Sequence, residues 1–214
     1  MLFCKNIWKV FLIILMFCQA SVIAQVKNEL SSLAVNNNIE KWLVLRGSSL
    51  VVNGSTNINK FSCRIPEYIN NDTLYFYRNS LKNESCILKG NLILQVTDFD
   101  CHNAMMSSDL CKTLQAKKYP ALIIQFLSIN TIPDVKSGKG WIKGDVSIEM
   151  AGVKKVFEVN YQYAFITPTL LYMIGTRPVN FSDFNLEPPR KLGGMIRTNE
   201  KLDVAFTLKM ELMH

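Results

Sequence analysis

Residues 103–126 read NAMMSSDLCKTLQAKKYPALIIQF, which predicts a helix, a stop and a strand. Leu110 and Leu114 lie four residues apart on one helix face, and the pair Ser107-Ser108 is suited to cap a helix start. Tyr119-Pro120 ends the helix, because the residue before a proline is pushed toward extended backbone geometry. The apolar run 121–129 that follows predicts a β-strand.

Most of the remaining chain is patterned for β-structure. Apolar and polar residues alternate, as they do when one strand face meets water and the other meets a common interior. An antiparallel sheet of eight such strands closes readily into a barrel without exposed edges. We therefore expect an all-β, eight-stranded antiparallel barrel with one short helix, about residues 105–116, closing an end. A β-prone island at 73–77 could extend the sheet or only decorate it. The predicted strands lie at 42–52, 56–65, 86–98, 121–129, 142–150, 157–165, 170–176 and 202–212.

The N-terminus has the features of a cleavable signal peptide. Lys5 and Lys9 precede the apolar run 10–17, and Val22-Ile23-Ala24 offers the small-residue pattern that a signal peptidase needs. The apolar run is too short to span a bilayer. We expect a periplasmic or secreted protein organised as a signal peptide at 1–24, a loose arm at 25–40 and the barrel domain at 41–214.

The expected mature chain carries a modest positive charge. Removing the two leader lysines from 24 basic residues leaves 22 against 17 acidic residues, a net charge of +5. The basic residues are scattered, and no basic stripe interleaved with aromatic residues indicates a nucleic-acid partner. Attraction to anionic lipid headgroups or to a phosphorylated ligand stays open.

Four cysteines remain after the leader, an even set that suits an oxidising compartment. Cys63 can pair with Cys86 and Cys101 with Cys111, or Cys63 with Cys101 and Cys86 with Cys111. We favour the second scheme, because antiparallel neighbours bring the start of one strand beside the end of the next. Free buried thiols are the alternative to two bridges.

Catalytic and metal sites have little support in the sequence. The expected mature chain has only two histidines, His102 and His214, so a nucleophile would have few bases to activate it. Asp98, Asp100 and Asp109 near His102 make a thin set of metal ligands. No glycine-rich phosphate cradle follows a strand. We expect no enzyme, no catalytic residues and no metal.

The residues predicted to face the barrel interior are apolar and nearly free of charge. An eight-stranded barrel is either filled by its side chains or holds one slender ligand, and a lipid tail suits such a lining. Tyr161, Tyr163 and Arg177 could meet a polar headgroup at the mouth, or simply face solvent. The predicted lumen residues are Leu92, Leu94, Val96, Ile124, Phe126, Ile142, Val146, Ile148, Phe157, Val159, Tyr161, Phe206 and Leu208.

Four features together resemble the YceI-like family of exported, lipocalin-like barrels that enclose a long isoprenoid lipid. They are the turn GSTNINKFSC, the segment Met106-x-x-Asp109-Leu110 with Leu114 and Tyr119-Pro120, the hairpin GWIKGDVSIEMAGVKKVFEV, and Asp183-Phe184-x-x-x-Pro188-Pro189. The resemblance implies a bound polyisoprenoid lipid and no other cofactor. The insertion at 66–85 and the four cysteines depart from that family's general pattern. The familiar Arg-Asp-x-His-Leu is also absent, so contacts made through its arginine or histidine do not carry over.

Two functions follow as hypotheses. The resemblance implies a carrier for a quinone-like or polyprenyl-phosphate lipid. The alternative is a filled, disulfide-stapled barrel that acts as a cell-envelope interaction or stress module through the 66–85 insertion. Peripheral contact with a membrane surface and a homodimer are open partners in either case.

Overall fold

The chain forms twelve β-strands and one α-helix within residues 39–77 and 86–213, the parts that this computed structural model describes. The predicted signal peptide at 1–24 and the predicted arm, apart from its last two residues, lie outside that part. Helix α1 covers Ala104–Thr113, and short 3-10 turns lie at Val96–Asp98, Phe181–Phe184 and Leu192–Gly194. The strands are β1 (Ile39–Val44), β2 (Ser49–Ser55), β3 (Lys60–Ile65), β4 (Thr73–Tyr77), β5 (Ile87–Gln95), β6 (Ala121–Phe126), β7 (Lys139–Met150), β8 (Val153–Thr167), β9 (Leu170–Asn180), β10 (Arg190–Lys191), β11 (Ile196–Arg197) and β12 (Lys201–Met213).

Ten of these strands form one sheet, and the pairing of β1 with β12 closes it into a barrel. β1 and β2 follow each other along one position of the ring, because both pair with β12. β3 pairs with β2, while β4 lies between β1 and β5, so β3 and β4 share the next position. The 73–77 island therefore extends the sheet, and the predicted eight-stranded antiparallel barrel is confirmed.

The first predicted strand, 42–52, is broken where β1 gives way to β2. Gly47 has φ 91°, a left-handed conformation that a residue with a side chain rarely adopts. Ser48 holds the step: its hydroxyl donates to the carbonyl of Leu45 at 2.9 Å and accepts from the amide of Lys209 at 3.0 Å. Because of this kink, β1 and β2 pair with two successive segments of β12.

Helix α1 covers Ala104–Thr113, close to the predicted 105–116, but it has a different cap. Asn103 has extended backbone, and its side chain accepts from the amides of Met105 and Met106. The prediction that Ser107-Ser108 caps the helix is wrong, because Asn103 already satisfies these amides and the Ser107 hydroxyl accepts from the amide of Cys101. Within the described residues no helix has the length and apolar character needed to cross a bilayer.

Aromatic side chains fill much of the barrel interior. We call the end that carries α1 the helix end, and the opposite end, where β8 turns into β9, the far end. Toward the far end, the ring of Trp42 lies edge-on to Phe76 and Phe165, at centroid distances of 6.3 and 6.0 Å.

A second aromatic cluster lies halfway along the barrel, where the ring of Phe206 packs against Phe126 and Tyr161 at centroid distances of 6.1 and 5.8 Å. We call Phe126, Tyr161 and Phe206 the aromatic plug.

A glycine on the facing strand makes room for the aromatic plug. Gly175 lies directly opposite Phe206 in the pairing of β9 with β12. A Cβ atom built on Gly175 would lie 2.3 Å from Cζ of Phe206, far inside van der Waals contact. The ring therefore occupies the space that any larger residue at position 175 would need.

Gly175→Ala should lower the free energy of unfolding by about 1–3 kcal/mol, because the Phe206 ring must shift within a packed core. Urea denaturation measures the change. Thr176→Ala is the matched control, since the exposed side chain of Thr176 points the other way and its loss should change stability by less than about 0.5 kcal/mol. Equal stability of the two variants would contradict the packing described here.

Candidate ligand site

The predicted lumen residues face the barrel interior. Twelve of the thirteen are buried, and Ile148 is half-buried against the same core. Their orientation follows from the alternation of the strands. That they contact a ligand stays a prediction.

The middle of the barrel is packed rather than hollow. A void of about 10 Å³ lies beside Leu92, Leu94 and Phe206. A single water molecule needs roughly 10–15 Å³, so this void leaves no room for a lipid tail. At this level the buried rings of the aromatic plug fill the barrel interior.

A larger apolar cavity lies between the plug and the helix end. This inner cavity has a volume of about 70 Å³. Of the predicted lumen residues, only Ile124 and Ile148 line it. The sequence analysis missed other members of its wall, which come from separate strands and from the residue after α1: Leu50, Val52, Leu114, Met150, Val179 and Val204.

An outer cavity of about 200 Å³ adjoins the inner one. It lies between α1, the turn that joins β2 to β3, and the hairpin of β10 and β11. Ile58 and Phe61 contribute from the turn and β3, Met106 from the helix, and Ile196 from the hairpin. Leu110 and Phe181 line both cavities, so these two side chains form the wall between them.

Polar contacts join the three segments around the outer cavity. The side-chain amide of Asn57 donates to the carbonyl of Met195 at 2.9 Å, and its oxygen accepts from the amide of Arg197 at 2.9 Å. These bonds attach the β2–β3 turn to the hairpin. Asp109 of α1 forms an ion pair with Lys191 of the hairpin, so the helix is attached to it as well.

Among the three residues considered for a polar headgroup, only Arg177 lies near the helix end. Its neighbours Gly175 and Val179 are buried, so Arg177 is on the inward face of β9, with its guanidinium 5.6 Å from the ring centroid of Phe157. Its Nε is buried and makes no hydrogen bond with any of the described residues. Tyr161 is fully buried in the plug, where burial raises its pKa, and Tyr163 lies toward the far end and bonds with Ser137 at 3.0 Å.

A charged cluster surrounds Phe157 at the helix end. The ammonium group of Lys155 forms an ion pair with Asp183, and the Asp183 carboxylate accepts from the amide of Asn180 at 2.8 Å. The Lys155 ammonium, helped by this amide, holds the pKa of Asp183 below its usual value. Arg177 adds a further positive charge nearby. The carboxylate is therefore ionised at neutral pH and satisfied by its neighbours.

Two of the three acidic residues considered as metal ligands lie beside histidine or lysine side chains. Nδ1 of His102 is 3.7 Å from the carboxylate of Asp100, and both side chains are more than half exposed. Asp109 is engaged by Lys191 and, at 3.8 Å, by Lys112. Among residues 39–77 and 86–213, no three His, Cys, Asp or Glu side chains are grouped to hold a metal ion.

One of the two favoured disulfides is present. Cys63 and Cys101 are bonded, which joins β3 to the loop before α1, whereas Cys86 and Cys111 are free thiols. The second bridge was wrong because β5 separates the two cysteines. Cys86 pairs with Ile129 where β5 starts, while Sγ of Cys111 lies 3.7 Å from the carbonyl of Val96 where β5 ends. That length of strand is about 30 Å, and a disulfide needs Cα atoms within about 7 Å.

No protein-family model and no curated protein sequence matches this chain. Solved structures match its fold at low identity. BcnA of Burkholderia cenocepacia has a TM-score of 0.57 at 14% identity, with 76% of this chain and 95% of that chain covered. A polyisoprenoid binding domain from Saccharophagus degradans, described as implicated in plant cell wall breakdown, has a TM-score of 0.54 at 11% identity, covering 80% and 98%. A mutant of the Campylobacter jejuni YceI protein has a TM-score of 0.50 at 12% identity, covering 68% and 82%. The chain therefore has the YceI-like fold, as its sequence features indicated.

Proposed function

We propose that this protein is an exported lipid-binding barrel that takes an apolar chain, such as a polyisoprenoid, into its helix end. The observation that carries the proposal is the pair of adjoining apolar cavities that Leu110 and Phe181 separate. The similarity to a structure described as a polyisoprenoid binding domain supports it. The disulfide and the predicted signal peptide support export, because disulfides persist in oxidising compartments.

The cavity volumes set the length of chain that fits without rearrangement. An apolar cavity of about 150 Å³ accommodates one benzene molecule. By that measure the outer cavity, at about 200 Å³, holds roughly one isoprene unit. A longer chain needs Leu110 and Phe181 to move apart, which would join the outer cavity to the inner one. Each further buried methylene contributes about 0.8 kcal/mol, so several would offset such a rearrangement.

The alternative is that the barrel works without a ligand, as an envelope interaction or stress module. The aromatic plug favours this function, since it leaves the middle of the barrel filled. The excursion after β3 would supply part of the contact surface. Tyr68 anchors it by donating to the carboxylate of Asp72, and Ile69 is exposed beside it. Burial and the hydrogen bond that Tyr68 donates to Asp72 raise the pKa of Tyr68 to about 12, so its hydroxyl stays protonated and able to donate.

Leu110→Trp should remove most lipid binding. Leu110 lines both cavities, so the larger indole would occupy the space in which an apolar chain would lie. Protein purified gently from its own host is compared by native mass spectrometry and by organic extraction of the bound material. We expect an apolar adduct on the wild-type protein and at least a tenfold smaller adduct on the variant, which corresponds to about 1.4 kcal/mol.

Ile93→Trp is the control for this experiment. Ile93 lies on the outer face of β5 and is partly exposed, so the same bulk added there should leave the adduct unchanged. An adduct retained at the wild-type level in Leu110→Trp would place the lipid elsewhere. A clean ligand-free mass for the wild-type protein would favour the interaction module.

A further inference from the structure

Three exposed apolar side chains surround the mouth of the outer cavity. Ile58 is 66% exposed, Leu192 67% and Met195 69%. They lie together because Asn57 bonds the β2–β3 turn to the β10–β11 hairpin, through the carbonyl of Met195 and the amide of Arg197. We call Ile58, Leu192 and Met195 the apolar tips.

The hairpin holds its leucine outward at a cost in backbone energy. Leu192 has φ 50°, a left-handed conformation that bulky residues seldom adopt. Such a residue costs of order 1–3 kcal/mol, and it persists only where the surrounding structure holds it. Ordinary loop chemistry would place glycine or asparagine there and would not expose a large apolar side chain. The arrangement indicates a surface that meets an apolar partner.

The same hairpin is strongly basic. Residues 189–198 contain Arg190, Lys191 and Arg197 and no acidic residue. Asp109 offsets Lys191, but Arg190 and Arg197 stand directly opposite each other on β10 and β11. Like charges in that position repel, and an anionic partner would relieve the repulsion. Within the described residues neither arginine forms an ion pair, although Nε of Arg197 donates to the carbonyl of Gly194 at 2.8 Å. Apolar tips beside such basic side chains are the combination that binds anionic bilayer surfaces.

We propose that the helix end docks on an anionic phospholipid bilayer. The apolar tips enter the interfacial region, and Arg190 and Arg197 lie at the level of the lipid phosphates. Docked in this way, the mouth of the outer cavity faces the membrane, so that an apolar chain passes between bilayer and barrel without crossing water. The use of the surface in lipid exchange rests on the proposed function, whereas the docking itself does not.

The double substitution Leu192→Asn with Met195→Ser tests the docking. Neither residue lines the inner or the outer cavity, and asparagine tolerates the left-handed backbone at position 192. Co-sedimentation is measured with vesicles of phosphatidylcholine containing phosphatidylglycerol and with vesicles of pure phosphatidylcholine. We expect the partition of the double variant onto the anionic vesicles to fall at least about tenfold, because two apolar side chains that insert into the bilayer interface are lost. Arg190→Glu should weaken binding to the anionic vesicles while leaving the weaker binding to pure phosphatidylcholine unchanged.

Trp141→Ser with Ile166→Ser is the matched control, because it removes two similarly exposed apolar side chains at the far end. All variants share the same segment before β1, so that segment contributes equally to each measurement. Equal vesicle partition of the tip variant and the far-end control would overturn the proposal. So would a tip variant that changes the oligomeric mass, which would assign the surface to a second copy of the chain. Native mass spectrometry on the same samples keeps the two proposals apart, since a lipid-free protein that still binds vesicles contradicts only the lipid-binding function.

Discussion

Replacing both Cys63 and Cys101 by alanine should lower the free energy of unfolding by about 4 kcal/mol. The disulfide closes a loop with a sequence separation of 38 residues, and the chain-entropy treatment assigns about 4 kcal/mol to a loop of that size. The bond also holds β3 beside Asp100, whose backbone exchanges two hydrogen bonds with that of Arg64. Loss of the bond should therefore destabilise the barrel and also loosen α1, which covers the cavities.

Urea denaturation of the double variant, compared with the wild-type protein under oxidising conditions, measures this effect. The chain offers its own control in the two free thiols. Cys86→Ala with Cys111→Ala removes the same atoms from half-buried positions without opening a loop, so its cost should stay near 1 kcal/mol. Reductant should destabilise the control variant and the wild-type protein alike. Similar stability of the two double variants would contradict the role assigned to the disulfide.

Phe206→Ala should lower the free energy of unfolding by about 3–5 kcal/mol, the usual cost of removing a buried aromatic side chain. Phe206 packs against Phe126 and Tyr161, and its ring occupies the space above Gly175. Its removal should also connect the small central void to the inner cavity, because Leu50 and Ile124 line both. The variant should therefore accept a longer apolar chain than the wild-type protein does.

Ligand rescue measures this second effect. Benzene occupies engineered apolar cavities, so a saturating amount should raise the melting temperature of Phe206→Ala more than that of the wild-type protein. Phe76→Ala is the control: Phe76 is fully buried, but it packs on Trp42 toward the far end. It should cost similar stability and leave the length of the bound lipid unchanged. An unaltered lipid in Phe206→Ala would mean that the plug does not limit the depth of binding.

The strands and their inward faces were predictable because each depends on residues close together in the chain. The alternation of Phe157, Val159 and Tyr161 assigned the buried face of β8 correctly. The break at Gly47 was not predictable, because its cause is the need to pair with two lengths of β12. The helix cap was missed because Asn103 and the serines are both suitable residues, and only the path of the chain after Asp100 decides between them.

The site was less accessible to sequence analysis than the fold. Phe206 was correctly placed inside the barrel, but its fit against Gly175 depends on the register between β9 and β12. The walls of the inner cavity come from β2, β7 and β12, through Leu50, Met150 and Val204. Residues so far apart in the chain leave no local pattern that reveals the space between them. Likewise, the even number of cysteines did not reveal that Cys86 and Cys111 lie at opposite ends of β5.

The position of the disulfide has a consequence for proteolysis. A single cut anywhere between Cys63 and Cys101 would leave two polypeptides that remain covalently linked. A cut between β4 and β5 would divide the molecule into a piece with β1–β4 and a piece with β5–β12, whose strands still pair along both seams of the ring. On a denaturing gel the nicked protein should therefore migrate as one species until reductant separates the fragments. Under native conditions the same strand pairing should allow the barrel to assemble from two separately expressed chains.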